Sequence, residues 1–212
     1  MILFVKKIIF TFMATFCLFP IYSWANDKEN LSATGINTNA VELAMKAYKY
    51  AMSKQKIKPI LTIVDFSEPS QNKRMIIYDL KNHTVLYQGR VSHGKGSGFI
   101  YPIYFSNKKN SYASSLGIFV TGKTYYGGSG YSLRISGIEK GINNKVKERH
   151  IVFHSSHHVS DEYVERYHHV GRSLGCFAIS PDNAKAILDI IRNGTVVFAY
   201  AEPELHDPYL TS

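Results

Sequence analysis

From Ile60 onward the chain breaks into short runs of β-branched and aromatic residues: ILTIVDF, RMIIYDL, TVLYQGRVS, GIFVTGKTYY, YSLRISGI, RHIVFHS and TVVFAYAEP. Polar turn segments such as EPSQNK and KNH separate them. Runs this short, rich in Val, Ile, Tyr and Phe, favour extended backbone over helix. The first three read as a β-meander. Helical signals are fewer. Val41, Ala44, Met45, Tyr48 and Met52 fall at helical spacing and predict a helix over 41–55, docked on the domain by its apolar stripe. Ser160, followed by Asp161 and Glu162, predicts an N-capped helix through Tyr167. Ser180-Pro181 predicts a helix start for the run that ends at Asn193-Gly194. The expected architecture is mainly β with a few helices, either two packed sheets or a distorted barrel.

The N-terminal segment sets the compartment. Lys6 and Lys7 precede an apolar stretch from Ile8 to Phe19, and Ser23-Trp24-Ala25 closes it. That is the layout of a secretory signal peptide over 1–25, cut after Ala25. Its apolar core is too short to span a bilayer, so no stable membrane insertion is expected after cleavage. Residues 26–40 are polar and aperiodic and read as a linker. The catalytic-size domain then covers 41–203, with a tail over 204–212. Cleavage removes Cys17 and leaves Cys176 as the one cysteine, so an internal disulfide is excluded and a reactive thiol becomes a candidate. The net charge of +9 is spread along the chain rather than gathered in a run. Together with export to a periplasm or cell envelope, this argues against a nucleic-acid partner.

Cys176 ends the stretch GRSLGC, where a loop gives way to the apolar FAI. A thiol attacks only as thiolate, so it needs a base or a positive field nearby. His154 closes a strand run and can present its ring to that loop, with Ser155 placed to orient it. Arg172 and Lys95 are sources of positive potential, and backbone N–H groups around Gly175 and Cys176 can stabilise an oxyanion. The competing reading is a buried, inert cysteine. A metal centre built from His154, His157, His158, His168, His169 and Cys176 lacks the HExxH spacing and a second cysteine, so none is expected. GKGSG at 94–98 lacks the spacing of a phosphate loop and reads as a turn or a wall of the site. The irregular stretch 93–117 is long enough to expect function or mobility.

The segment HSS…GRSLGC resembles the signature of the L,D-transpeptidase catalytic domain, the YkuD-like fold. ILTIVDFSEPS, VSHGKGSG, FSNKKNSYASSLG, TGKTYYGGSGYSLRISGIEKGIN and RHIVFHSSHHVS are similar, in the same order, to its divergent murein L,D-transpeptidase branch. The resemblance covers about residues 41–200. It implies Cys176 as nucleophile, His154 as general base and Ser155 as its orienting neighbour. Arg172, Ser173 and Gly175 match the box, and His93, Lys95 and Tyr131 become substrate-binding candidates. Leu174, Phe177 and Ser155 depart from residues common at those positions. The implied activity cleaves the bond between the third residue of a peptidoglycan stem and D-alanine, through a thioester, and passes the acyl group to a neighbouring stem. No cofactor is required. The same pair with water as acceptor gives an L,D-carboxypeptidase, and the fold without the chemistry gives a wall-binding module.

Overall fold

The computed structural model describes residues 19–211. The stretch read as an export signal lies, up to residue 18, outside the described residues. Strands β1 (Ile60–Asp65), β2 (Met75–Asp79), β3 (Thr84–Gly89), β4 (Gly117–Gly127), β5 (Gly130–Gly137), β6 (Val152–Ser155), β7 (Phe177–Ile179) and β8 (Val196–Tyr200) form one sheet, in the order β3-β2-β1-β8-β4-β5-β6-β7. The expected β-rich class with few helices is present, and β1 to β3 form the antiparallel meander. Two pairings are parallel, β1 with β8 and β6 with β7.

The sheet is covered on both faces. Val64, Met75, Ile77, Phe119, Leu133, Phe153, Phe177, Val197 and Ala199 pack on one side with helix α4 (Ala184–Ile191). Leu61, Ile63, Ile76, Tyr78, Ile118, Val120, Phe198 and Tyr200 pack on the other with helix α2 (Thr38–Lys54). The central strands β1, β4 and β8 supply both sets, because alternate residues point to opposite faces. That is why VVFAY reads as a continuous apolar run rather than an alternating one.

Three segments differ from the sequence expectation. Residues 26–40 are not a loose linker. Helix α1 (Phe19–Ser32) runs through them and past the expected cut after Ala25, and α2 begins at Thr38 behind an Asn37 cap. Leu31 is buried, as is Asp27, whose carboxylate accepts from Tyr78 Oη at 2.8 Å and pairs with His83 Nδ1 at 2.7 Å. A buried carboxylate hides this face from a hydropathy pattern. The tail also folds: a 3-10 helix spans Glu202–His206, and Leu210 is buried. Helix α4 starts three residues later than Ser180-Pro181 suggests, because Ser180 Oγ donates to Asp182 Oδ2 instead of capping. The Ser160 cap is present, accepting from Tyr163 N–H at 3.2 Å ahead of helix α3 (Asp161–Tyr167).

Phe177, directly after Cys176, packs against Phe66, Phe119 and Phe153 with ring centroids 6.0, 5.6 and 4.8 Å away. Phe177→Ala is expected to cost about 3–5 kcal/mol, measured by urea denaturation. A loss below about 1 kcal/mol would mean that this cluster does not anchor the segment.

Candidate active site

The site is set by the parallel register of β6 and β7, which pairs Phe153 with Phe177 and His154 with Ala178. Phe153 and Phe177 enter the core. His154, Cys176 and Ala178 line a cavity of about 290 Å³ with Ser92, Ser129, Ser156, His158, Arg172 and Ser173. A second cavity of about 310 Å³ reaches Cys176 from the other side, lined by Tyr112, Glu148, Arg149 and His150. Leu174 borders both.

The box holds itself in shape. Ser173 Oγ accepts from Gly175 N–H at 3.1 Å and donates to the Cys176 carbonyl at 2.7 Å. Ser173 is thereby a brace of the turn, and the Gly175 N–H expected for an oxyanion is already engaged. Gly175 has φ +117°, and a Cβ there would lie 2.7 Å from Ile151 Cδ1 and 2.9 Å from the Ala113 carbonyl. Only glycine fits that conformation and that approach. The loop 93–98 pairs with the box: Ser173 N–H donates to the His93 carbonyl, and Lys95 N–H donates to the Ser173 carbonyl.

His154 and Cys176 are both half-buried. His154 Nδ1 lies 2.8 Å from the Ser155 carbonyl. A carbonyl can only accept, so the proton of a neutral ring sits on Nδ1, leaving Nε2 as a free base. Ser155 therefore orients the ring through its backbone. The thiol has Sγ 3.6 Å from the His150 carbonyl. Burial pushes the Cys176 thiol up from its ordinary range, while the Val152 N–H and Arg149 oppose that rise. Such a thiol rests protonated. It becomes nucleophilic when a base takes its proton during attack.

The remaining sequence candidates divide. Arg172 lines the first cavity, but its guanidinium donates to the Gly98 carbonyl and lies 4.8 Å over the Phe99 ring. His93 is fully buried and lines neither cavity. Its Nδ1 accepts from Arg74 at 2.9 Å, and burial, with Arg74 beside it, holds its pKa down to about 3. It is a structural residue under the box rather than a substrate contact. Lys95 is exposed and stands over Tyr112, at the edge of the second cavity. Tyr131 faces away, donating to Asp189 Oδ1 of α4 at 2.5 Å. Its hairpin reaches the first cavity through Ser129 instead. The histidines at 157, 158, 168 and 169 do not converge with Cys176 on a common ligand position among the described residues.

Arg149 is the residue that sequence reasoning missed. It donates to the Ala113 carbonyl at 2.6 Å and to Ser115 Oγ at 2.5 Å, tying the 106–115 stretch to the thiol. That stretch is not a free loop: Gly94 N–H donates to Ser114 Oγ, and Ser114 N–H to Ser97 Oγ. At Gly96 a Cβ would come within 2.2 Å of the Ser111 carbonyl. The glycines of GKGSG serve close packing.

A sequence profile of the L,D-transpeptidase catalytic domain matches residues 32–200. The chain belongs to that family. No curated protein sequence matches it. Among solved structures, it is similar to an L,D-transpeptidase from Mycobacterium smegmatis, at 16% identity and a TM-score of 0.40, covering 68% of this chain and 59% of that one. It is also similar to an L,D-transpeptidase from Stackebrandtia nassauensis, at 14% identity and a TM-score of 0.40, covering 82% and 75%. The chain thus spans about three fifths of the mycobacterial protein.

In this transpeptidase domain Arg149 is the charged group that favours a Cys176 thiolate. The raised thiol predicts slow alkylation by iodoacetamide at neutral pH, with a midpoint above that of free cysteine. Arg149→Ala is expected to move the midpoint higher still. A midpoint unchanged or lowered in that variant would remove Arg149 from the electrostatics of the thiol.

Proposed function

We propose that this domain is an exported cysteine acyltransferase that acts on peptidoglycan stem peptides. The observation that carries the reading is the position of Cys176 at the meeting point of two cavities, with a base-competent His154 in one of them. A two-substrate acyl transfer needs such an arrangement, because one chain must stay bound as thioester while the second approaches.

In the first step His154 Nε2 takes the thiol proton as Sγ attacks the carbonyl carbon of the third stem residue. The C–N bond to D-alanine then breaks. The leaving amine takes the proton back from His154, and a thioester remains on Cys176. In the second step the amine of a neighbouring stem attacks the thioester and gives its proton to His154. The C–S bond breaks, the thiol is restored, and the two stems are joined. Neither step needs an added oxidant, reductant or metal. Membership of the family supports the transpeptidase reading, and the leader-like N-terminus supports export to the envelope, where the substrate lies.

The test is incubation of wild type, Cys176→Ala and His154→Ala with disaccharide-tetrapeptide, read by mass spectrometry. Wild type is expected to form a cross-linked dimer with loss of D-alanine. Cys176→Ala should form none, and His154→Ala should be slower by about 10²–10⁴-fold. Tripeptide without dimer would replace transpeptidation by L,D-carboxypeptidation with water as acceptor. Equal dimer formation by the Cys176 variant would overturn the proposal.

A further inference from the structure

Away from both cavities, three carboxyl groups meet in the interior. Glu139 follows β5, while Glu204 and Asp207 come from the folded C-terminal segment. Their exposures are 0, 3 and 3%, and one carboxylate oxygen of each lies within 4.8 Å of those of the other two. Protein donors serve one side of the group. Ile118 N–H and Asn143 Nδ2 each donate to Glu139 Oε2 at 2.6 Å, and Tyr209 N–H donates to Asp207 Oδ1 at 2.8 Å. Glu139 Oε1, Glu204 Oε2 and Asp207 Oδ2 are buried with no hydrogen-bond partner. Among the described residues, no Lys, Arg or His forms an ion pair with any of the three.

Three carboxylates cannot stay ionised in such a place without a counter-charge. Either protons or a cation must neutralise them. Two shared protons, with Asp207 bridging Glu139 and Glu204, would satisfy the turned-in oxygens in pairs, whereas one divalent cation would meet all three at once. Glu204 and Asp207 share one turn of the C-terminal segment while Glu139 comes from the loop after β5, and together they offer only hard oxygen donors.

The geometry points to a divalent-cation site at Glu139, Glu204 and Asp207, with the three unpartnered oxygens as ligands. All-oxygen carboxylate donors favour calcium over thiolate- or imidazole-seeking metals. Without the ion, burial pushes the Glu139 and Glu204 carboxyls up from the ordinary carboxylate range, with the neighbouring carboxyls adding to both. The site would fasten the C-terminal segment to the start of β4. Gly117 makes room for it, since a Cβ there would lie 2.0 Å from Glu139 Oε2. Asn143, which holds Glu139, also donates to the Leu116 carbonyl at 2.9 Å, at the end of the stretch that Arg149 ties to Cys176. The role is structural, and it stands or falls independently of the acyl-transfer reading.

The test uses the whole protein. Metal content is measured by inductively coupled plasma mass spectrometry as purified. Calcium is then titrated into chelator-treated protein by calorimetry and thermal melting, beside Glu204→Gln and Asp207→Asn. These variants remove charge at nearly constant shape, and circular dichroism checks that they fold. One calcium per wild-type chain and a Tm that rises with calcium are expected. Both variants should lose the Tm response and bind at least tenfold more weakly. Wild type that carries no metal, gives no heat and melts at the same temperature with and without millimolar calcium would show that protons neutralise the triad, and would overturn the site. An equal calcium response in all three proteins would overturn it too.

Discussion

The parallel ladder between β6 and β7 is the constraint on which the site rests. Those strands pair through only Phe153–Phe177, His154–Ala178 and Ser155–Ile179. Side chains alternate along a strand, so a slip of one residue would exchange the faces of Phe177 and Cys176. The register is held by burial. Phe153 and Phe177 stack at 4.8 Å within a cluster that includes Phe66 and Phe119, and no polar substitute could occupy that position cheaply. Core packing therefore aims the thiol. Gly175 and the Ser173 hydroxyl then bring the chain into β7 at the angle the register needs.

The electrostatics around that thiol favour a neutral resting state. Burial disfavours the thiolate more than Arg149 and the Val152 N–H favour it. His154 is in the complementary condition, with Nδ1 committed to the Ser155 carbonyl and Nε2 free. In the proposed acyl transfer, a pair arranged in this way would pass its proton in the course of attack, rather than hold a preformed thiolate–imidazolium pair. The protonated resting thiol is also the form less exposed to oxidation.

The strands were legible because β1, β4 and β8 are buried on both faces and so appear as plain apolar runs. GRSLGC and His154 stood out as site candidates because a glycine-flanked cysteine and a strand-end histidine carry chemistry in their residue types, and the structure brings both to one cavity. What escaped depended on partners distant in sequence. FAI is too short to show a period, so β7 and its parallel register were invisible. Arg149 matters only because the 106–115 stretch folds back onto it. His93 and Tyr131 resembled site residues, yet Arg74 claims the Nδ1 of a fully buried His93 and Asp189 claims the Tyr131 hydroxyl. Asp27, Glu204 and Asp207 are buried acids, and each made its segment look like solvated linker or tail.

The most direct measurement is intact-protein mass spectrometry of the wild-type domain, quenched in acid during turnover of a tetrapeptide stem and followed by peptide mapping. The account predicts a mass gain equal to the stem without its D-alanine, carried by the peptide that contains Cys176. Release of D-alanine with Cys176 unmodified at every time point would contradict it.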